Sequence, residues 1–259
     1  LADDAQLIAR GTVERVRGYK NATLTVFTIR PDEVLKGVAT PGAPIQLVQA
    51  KIFASERPIL EQGARTLVFA VPLPPYSSYV EALPNDTYWR WVERKDSAQD
   101  LAALGAPEIV AAVSRYTVLA ADPAGRAHLL AQLLTNENPR LRGDALVALE
   151  SHTEIISALD AAALAPLKTW LDNERVPVTE RAQVLVRLGR IKAPGVVALA
   201  EPLASVAGPL QAAAVDALVS GGHAPSEAQL LALSRREDPT LRLATLRGLA
   251  RSASRPALD

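Results

Sequence analysis

The feature that most constrains this chain is a short string that occurs twice. Asn138-Pro139-Arg140-Leu141-Arg142 leads to Ala145, Leu146 and Leu149, and Asp238-Pro239-Thr240-Leu241-Arg242 leads to Leu246 and Leu249 at the same distances from the proline. Between them, Arg181, Leu185 and Leu188 follow Pro177, and Gln211, Ala214 and Leu218 follow Pro209, in similar places with small insertions. Leu149, Leu188, Leu218 and Leu249 are then 39, 30 and 31 residues apart. Proline suits the first turn of a helix, where an amide would have had no partner. Leucines three and four apart behind it line one helical face. Each unit therefore predicts a first helix, a proline-started turn and a second helix. Such hairpins cannot bury their apolar faces singly and must stack to fold.

Before about Ser97 the period is two instead of 3.6. Short β-branched and apolar runs are broken by Gly and Pro, the texture of strands. Leu7 to Val16 predicts the first strand, with a bend or bulge at Gly11. Ala22 to Ile29 predicts the second, with Leu24 and Val26 on one face and Thr25, Phe27 and Ile29 on the other. Pro44 to Ala50 and Arg65 to Val71 follow as the third and fourth strands, and Tyr79 to Leu83 with Thr87 to Glu93 as a closing hairpin. This is enough for a small barrel. The expected organisation is α+β in two domains: a β domain over 1–96 and helical repeats over 97–259, with the segment from Ala106 to Leu119 capping the repeats.

Two resemblances sharpen this. Leu7-Ile8-Ala9-Arg10-Gly11-Thr12-Val13, Asp32-Glu33-Val34-Leu35-Lys36-Gly37 before Pro41-Gly42, and Glu61-Gln62-Gly63-Ala64-Arg65-Thr66-Leu67-Val68-Phe69 together resemble the OB-like, TIMP-like domain of bacterial exported proteins. That resemblance implies a five-stranded Greek-key barrel. The protease inhibition of true TIMPs needs an N-terminal cysteine, which this chain lacks, so only the fold is implied. The proline-started units over about 123–253 resemble HEAT repeats, which implies an α-solenoid of helical hairpins.

Charge narrows the function classes. Residues 1–122 carry 13 basic and 14 acidic side chains and the remainder 15 and 14, so neither half has the basic excess of a non-specific nucleic-acid binder. With no cysteine there are no disulfides, thiolate metal sites or cysteine nucleophiles. No apolar run reaches the ~20 residues needed to span a bilayer. The chain starts at Leu1 and not at Met, which fits a mature exported protein or a trimmed one; periplasmic or extracellular residence is the expectation.

No motif announces chemistry. His128, His152 and His223 lie outside any metal or nucleophile pattern. Glu150-Ser151-His152-Thr153-Glu154 reads as an inter-helix turn, and Asp3-Asp4 and Asp32-Glu33 lack the alternating ligands of a calcium loop. Gly221-Gly222 before His223-Ala224-Pro225 reads as a helix stop. No cofactor, metal or catalytic residue is expected.

Two surfaces remain. Five of the eleven aromatics fall in Pro74-Pro75-Tyr76-Ser77-Ser78-Tyr79 and Asp86-Thr87-Tyr88-Trp89-Arg90-Trp91. Trp89 and Trp91, two apart on a strand, share a face that either anchors a partner or packs a domain interface. Arg140, Arg181, Arg187, Arg247 and Arg251 fall on or near helices expected to line the inner face of the stack, where Asp144, Glu180 and Asp216 dilute any basic stripe. Arg142 and Arg242 hold the positions that pair within and between repeats in the HEAT family. The sequence thus points to a non-enzymatic scaffold that holds a protein through its concave face and through Tyr76, Tyr79, Trp89 and Trp91. The alternative is capture of a glycan or single-stranded nucleic acid by the barrel. Oligomeric state is not legible.

Overall fold

Two strands of 13 residues, β1 (Leu7–Tyr19) and β2 (Leu24–Lys36), pair antiparallel along nearly their whole length in the computed structural model. The structure describes residues 2–19, 23–50, 59–74, 77, 83, 87–92 and 97–253, with side chains to residue 251. β3 (Ile45–Ala50) pairs antiparallel with β2, and β4 (Arg65–Pro72) with the first half of β1. β5 (Tyr88–Trp91) lies parallel to β3 and antiparallel to the end of β4. The sheet thereby closes in the order β1-β2-β3-β5-β4-β1, a five-stranded barrel of OB-like connectivity. β6 (Ala98–Asp100) adds to the start of β4.

The barrel is closed by curvature at one place in particular. β2 runs beyond Ile29, where the alternation pattern ends, through Pro31 to Lys36. Pro31 stands opposite Gly11, and the register slips between Arg10 and Gly11. A Cβ on Gly11 would collide with the carbonyl oxygen of Arg30 and lie 2.8 Å from the Cα of Pro31. Only a residue without a side chain lets β2 approach here, so the bulge expected at Gly11 also admits the proline.

Inside, Leu7, Ala9 and Val13 meet Phe27 and Ile29, Leu47, and Val68 and Ala70. A second cluster, Leu24, Val26, Val48 and Tyr88 with Leu83, occupies the opposite face. β2 therefore buries both of its faces, with Phe27 and Ile29 on one and Leu24 and Val26 on the other, as its alternation predicts.

Packing moves the domain boundary. The change of period places it at 96/97, whereas the compact units of the structure are Leu1–Val118 and Leu119–Asp259. Helix α1 (Ala106–Val118), expected from the sequence to cap the helical part, falls in the first compact unit. It contacts β2, and Tyr116 Oη donates a 2.6 Å hydrogen bond to Asp3 Oδ2. Periodicity reports helix or strand; it carries nothing about which neighbour a helix chooses.

The second unit holds α2 (Pro123–Leu134), α3 (Pro139–Ser151), a one-turn α4 (Thr153–Ser157), α5 (Ala161–Leu171), α6 (Val178–Arg190), α7 (Val196–Ser205), α8 (Gln211–Gly221), α9 (Glu227–Ser234) and α10 (Pro239–Ala253). Among the described residues none of these is long and apolar enough to cross a membrane. Pro139 and Pro239 start α3 and α10 and Pro177 immediately precedes α6, whereas Pro209 lies in the turn two residues before α8. Helices α2 and α3, α7 and α8, and α9 and α10 pack as pairs, while α8 also packs against α6 and α10. Leu149, Leu188 and Leu218 are buried at 0%, 0% and 3% exposure. One equivalence breaks. Leu146 is 6% exposed and Leu246, its counterpart, is 57% exposed, because no described helix follows α10 to cover it.

Side-chain caps fix the helix starts: Asp122 accepts from the Gly125 amide, Asn138 from Arg140, Asp160 from Ala163, and Ser226 and Gln229 form a reciprocal capping box. Asp160 is informative because it titrates. Its hydrogen bond from the Ala163 amide, 2.7 Å, holds the carboxyl below the usual carboxylate range, and His128 Nε2 at 3.5 Å adds to this. A carboxylate with a lowered pKa in the folded state stabilises fully above its unfolded pKa, and this contribution is lost as pH falls through the folded value. Protection of the amides in the first turn of α5, taken as the exchange rate relative to the intrinsic rate at each pH, is therefore expected to fall in that acid window. Asp160→Asn, which keeps a capping oxygen but cannot titrate, should remove the pH dependence. If protection in Asp160→Asn follows the same acid profile, the cap is not the titrating group.

Candidate functional site

The arginines singled out by sequence lie on α3, α6 and α10, and the structure gives most of them partners. Arg187 on α6 faces Glu150 on α3 at 3.7 Å, and Arg247 on α10 faces Asp216 on α8 at 3.5 Å. Arg140 lies 3.7 Å from Asp144, one turn on in α3. Arg181 differs from its expected place on an open face. It is 7% exposed and donates from Nη1 to the carbonyl oxygen of Leu171 at 2.7 Å, closing the C-terminal end of α5. A long side chain on the side of α6 that meets α5 has no route to solvent, and helical spacing does not say which side that is.

Arg142 is the strongest of the set. Its guanidinium donates to the carbonyl oxygens of Asn136 at 2.6 Å and Glu137 at 2.9 Å, and also bonds Glu180 on α6, with only 11% of its side chain exposed. One residue thus ties the α2–α3 turn to α6. Arg142→Ala leaves two carbonyls and a carboxylate without their donor and should cost about 2–3 kcal/mol. Glu180→Gln keeps both carbonyl bonds and should cost about 1 kcal/mol or less. Urea midpoints measure both, and equal losses would refute this division. Arg242, the matching residue on α10, is exposed.

A concave site forms where α6, α8 and α10 end together. It encloses about 540 Å³ and is lined by Arg190, Asp216, Val219, Ser220, Arg247 and Arg251, among others. Small residues create it. A Cβ on Gly189 would lie 2.5 Å from the Cα of Ala217, and one on Gly248 would lie 2.9 Å from Val219 Cγ2. The three helices therefore meet closely at these glycines, and the neighbouring long side chains rise as a rim. Arg251 donates from Nη1 to the Val219 carbonyl oxygen at 2.5 Å. Arg190, the last residue of α6, has no side-chain partner among the described residues.

Comparison with family models, curated proteins and solved structures finds no match. The functional reading consequently rests on this geometry.

The aromatic surface is arranged differently from a free stacking platform. Trp89 and Trp91 do share a face of β5, and that face packs on the barrel core, where Trp91 meets Phe27 edge to face with ring centroids 5.9 Å apart. Both indoles are only partly exposed, and Tyr88 is buried on the opposite face. Tyr76, Tyr79 and the first strand of the expected closing hairpin lie outside the described residues, apart from Leu83. His128 pairs with Asp160, and His152 lies 3.2 Å from Glu154 across a helix start. Among the described residues no three His, Asp or Glu side chains gather to hold a metal.

Arg190 and Ser220 are not singled out by the sequence, and Asp216 enters there only as a diluent of positive charge. A signal existed: Arg187 and Arg190 are three apart in the last turn of α6, and Arg247 and Arg251 are four apart towards the end of α10.

Proposed function

We propose that this chain is a non-enzymatic scaffold that binds a protein partner, its second unit being a short HEAT-like solenoid and its first a TIMP-like variant of the OB-like barrel. The observation that carries the reading is the row of second helices. α6, α8 and α10 lie side by side, α3 is tied to α6 through Arg142–Glu180 and Arg187–Glu150, and α8 is tied to α10 through Asp216–Arg247. Ion pairs between successive helices fix their spacing while leaving partly exposed guanidinium groups along one row, an arrangement suited to an extended contact. The half-buried packing of Trp89 and Trp91 supports this use of the helices over glycan or single-stranded nucleic-acid capture by the barrel. Residence in the bacterial periplasm or outside the cell is part of the proposal and is supported by the resemblance of residues 5–94 to exported domains.

Affinity capture from the native host at near-physiological salt, repeated at high salt, tests it. A stoichiometric protein partner released by salt is the expected result. Capture of no protein at either salt would overturn the scaffold reading.

A further inference from the structure

We propose that the concave site at the ends of α6, α8 and α10 seats an acidic peptide segment of the partner, its carboxylates held by Arg190, Arg247 and Arg251. The inference rests on the scaffold reading and names the chemistry of what that scaffold holds.

The site has more cation than its own anions satisfy. Three guanidinium groups surround one carboxylate, Asp216. Arg247 and Arg251 are four apart on the same side of α10, a like-charge spacing that weakens an isolated helix. Their bonds leave capacity: Arg251 engages one nitrogen with the Val219 carbonyl, Arg247 stands 3.5 Å from Asp216, and Arg190 has no side-chain partner among the described residues. A guanidinium fork matches a carboxylate with two parallel bonds. Low-dielectric walls around a pocket of about 540 Å³ concentrate the field of the three charges, and the volume suits a few residues of peptide.

The same surroundings disfavour phosphate. Phosphate sites exploit helix N-termini, whose free amides and positive dipole end face the anion. Here Arg190 ends α6, Ser220 lies in the last turn of α8 and Arg251 in the last turn of α10. Helix C-termini and Asp216 repel any anion, and they repel a compact doubly charged group more than single carboxylates spread along a peptide. A peptide brings amide donors as well as carboxylates. Asp216 and the Ser220 hydroxyl can accept from those amides while the arginines take the acids, and Val219 and Ala250 supply apolar floor.

The test uses the full chain and fluorescein-labelled hexaglutamate, followed by anisotropy at about 50 mM salt, where exposed charges are weakly screened. Saturable binding is expected, with none for hexaglutamine. Arg190→Glu, at an exposed residue, should weaken hexaglutamate binding about tenfold or more, and Arg235→Glu, an exposed charge at the end of α9, less than about twofold. Thermal melts establish that both variants are folded. Absence of hexaglutamate binding, equal losses in the two variants, or displacement of the peptide by inorganic phosphate at lower concentration than by free glutamate would each overturn the proposal. A captured host partner retained equally by Arg190→Glu would overturn this site and leave the scaffold reading standing. Hexaglutamate binding that depends on Arg190 where the host yields no partner would do the reverse.

Discussion

Gly189→Ala is expected to destabilise the helical unit by about 2 kcal/mol, although alanine is the better helix former by about 1 kcal/mol. The reason is contact, not propensity. The new Cβ would fall 2.5 Å from the Cα of Ala217 and closer still to its carbonyl oxygen, both backbone atoms that cannot rotate away. α6 and α8 must then part, and the leucines between them, Leu185, Leu188 and Leu218, lose the packing that keeps them at 3% exposure or less. The control is the same substitution on α3. A Cβ on Gly143 would meet nothing within 4 Å, so Gly143→Ala should be neutral or stabilising by up to about 1 kcal/mol. Urea unfolding of the two variants side by side decides the matter. A Gly189→Ala protein as stable as Gly143→Ala would mean that α6 and α8 are not in contact at this point. Since the acidic-peptide site stands on the rim of the same junction, Gly189→Ala should also weaken hexaglutamate binding.

Phe27→Ala is expected to cost about 3–5 kcal/mol, the range for emptying a large aromatic site in a core. Phe27 is fully buried and sits among residues from all of the principal strands. Its edge-to-face contact with Trp91 adds about 0.5–1.5 kcal/mol that a pure area argument omits. Tryptophan fluorescence is a suitable readout because Trp89 and Trp91 both pack on this core. The emission of the folded protein should shift to the red as water reaches Trp91, and the unfolding midpoint should fall. Leu243→Ala on α10, where the leucine is 50% exposed, should change stability by about 0.5 kcal/mol or less. A loss below about 1 kcal/mol for Phe27→Ala would place the ring outside the core and invalidate the inward orientation of Trp91.

Some of this architecture can be read directly from residues. The two faces of β2, the bulge at Gly11 and the proline starts of α3, α6 and α10 are local: each follows from alternation, a missing side chain or a missing amide hydrogen. The partner choices are not. Arg181 and Arg187 are six residues apart on one helix and look alike in sequence, yet one is buried against the end of α5 and the other is half exposed beside Glu150. Likewise Arg142 and Arg242 occupy matching places in matching strings, yet Arg142 is tied to Glu180 on a later helix while Arg242 lies exposed on the last described one.

By itself the sequence determined where the first four strands and the proline-led helices α3, α6 and α10 begin, the two faces of β2, and that the chain divides into a β part and a helical part. These are consequences of backbone sterics and of side-chain period, properties that act over a few residues. Tertiary structure alone decided that α1 joins the barrel, that Trp89 and Trp91 turn inward and that Arg190, Arg247 and Arg251 converge around Asp216. Those outcomes depend on contacts between segments far apart in the chain, and for the arginines also on how closely Gly189 and Gly248 let α6, α8 and α10 approach, a distance that no local pattern records.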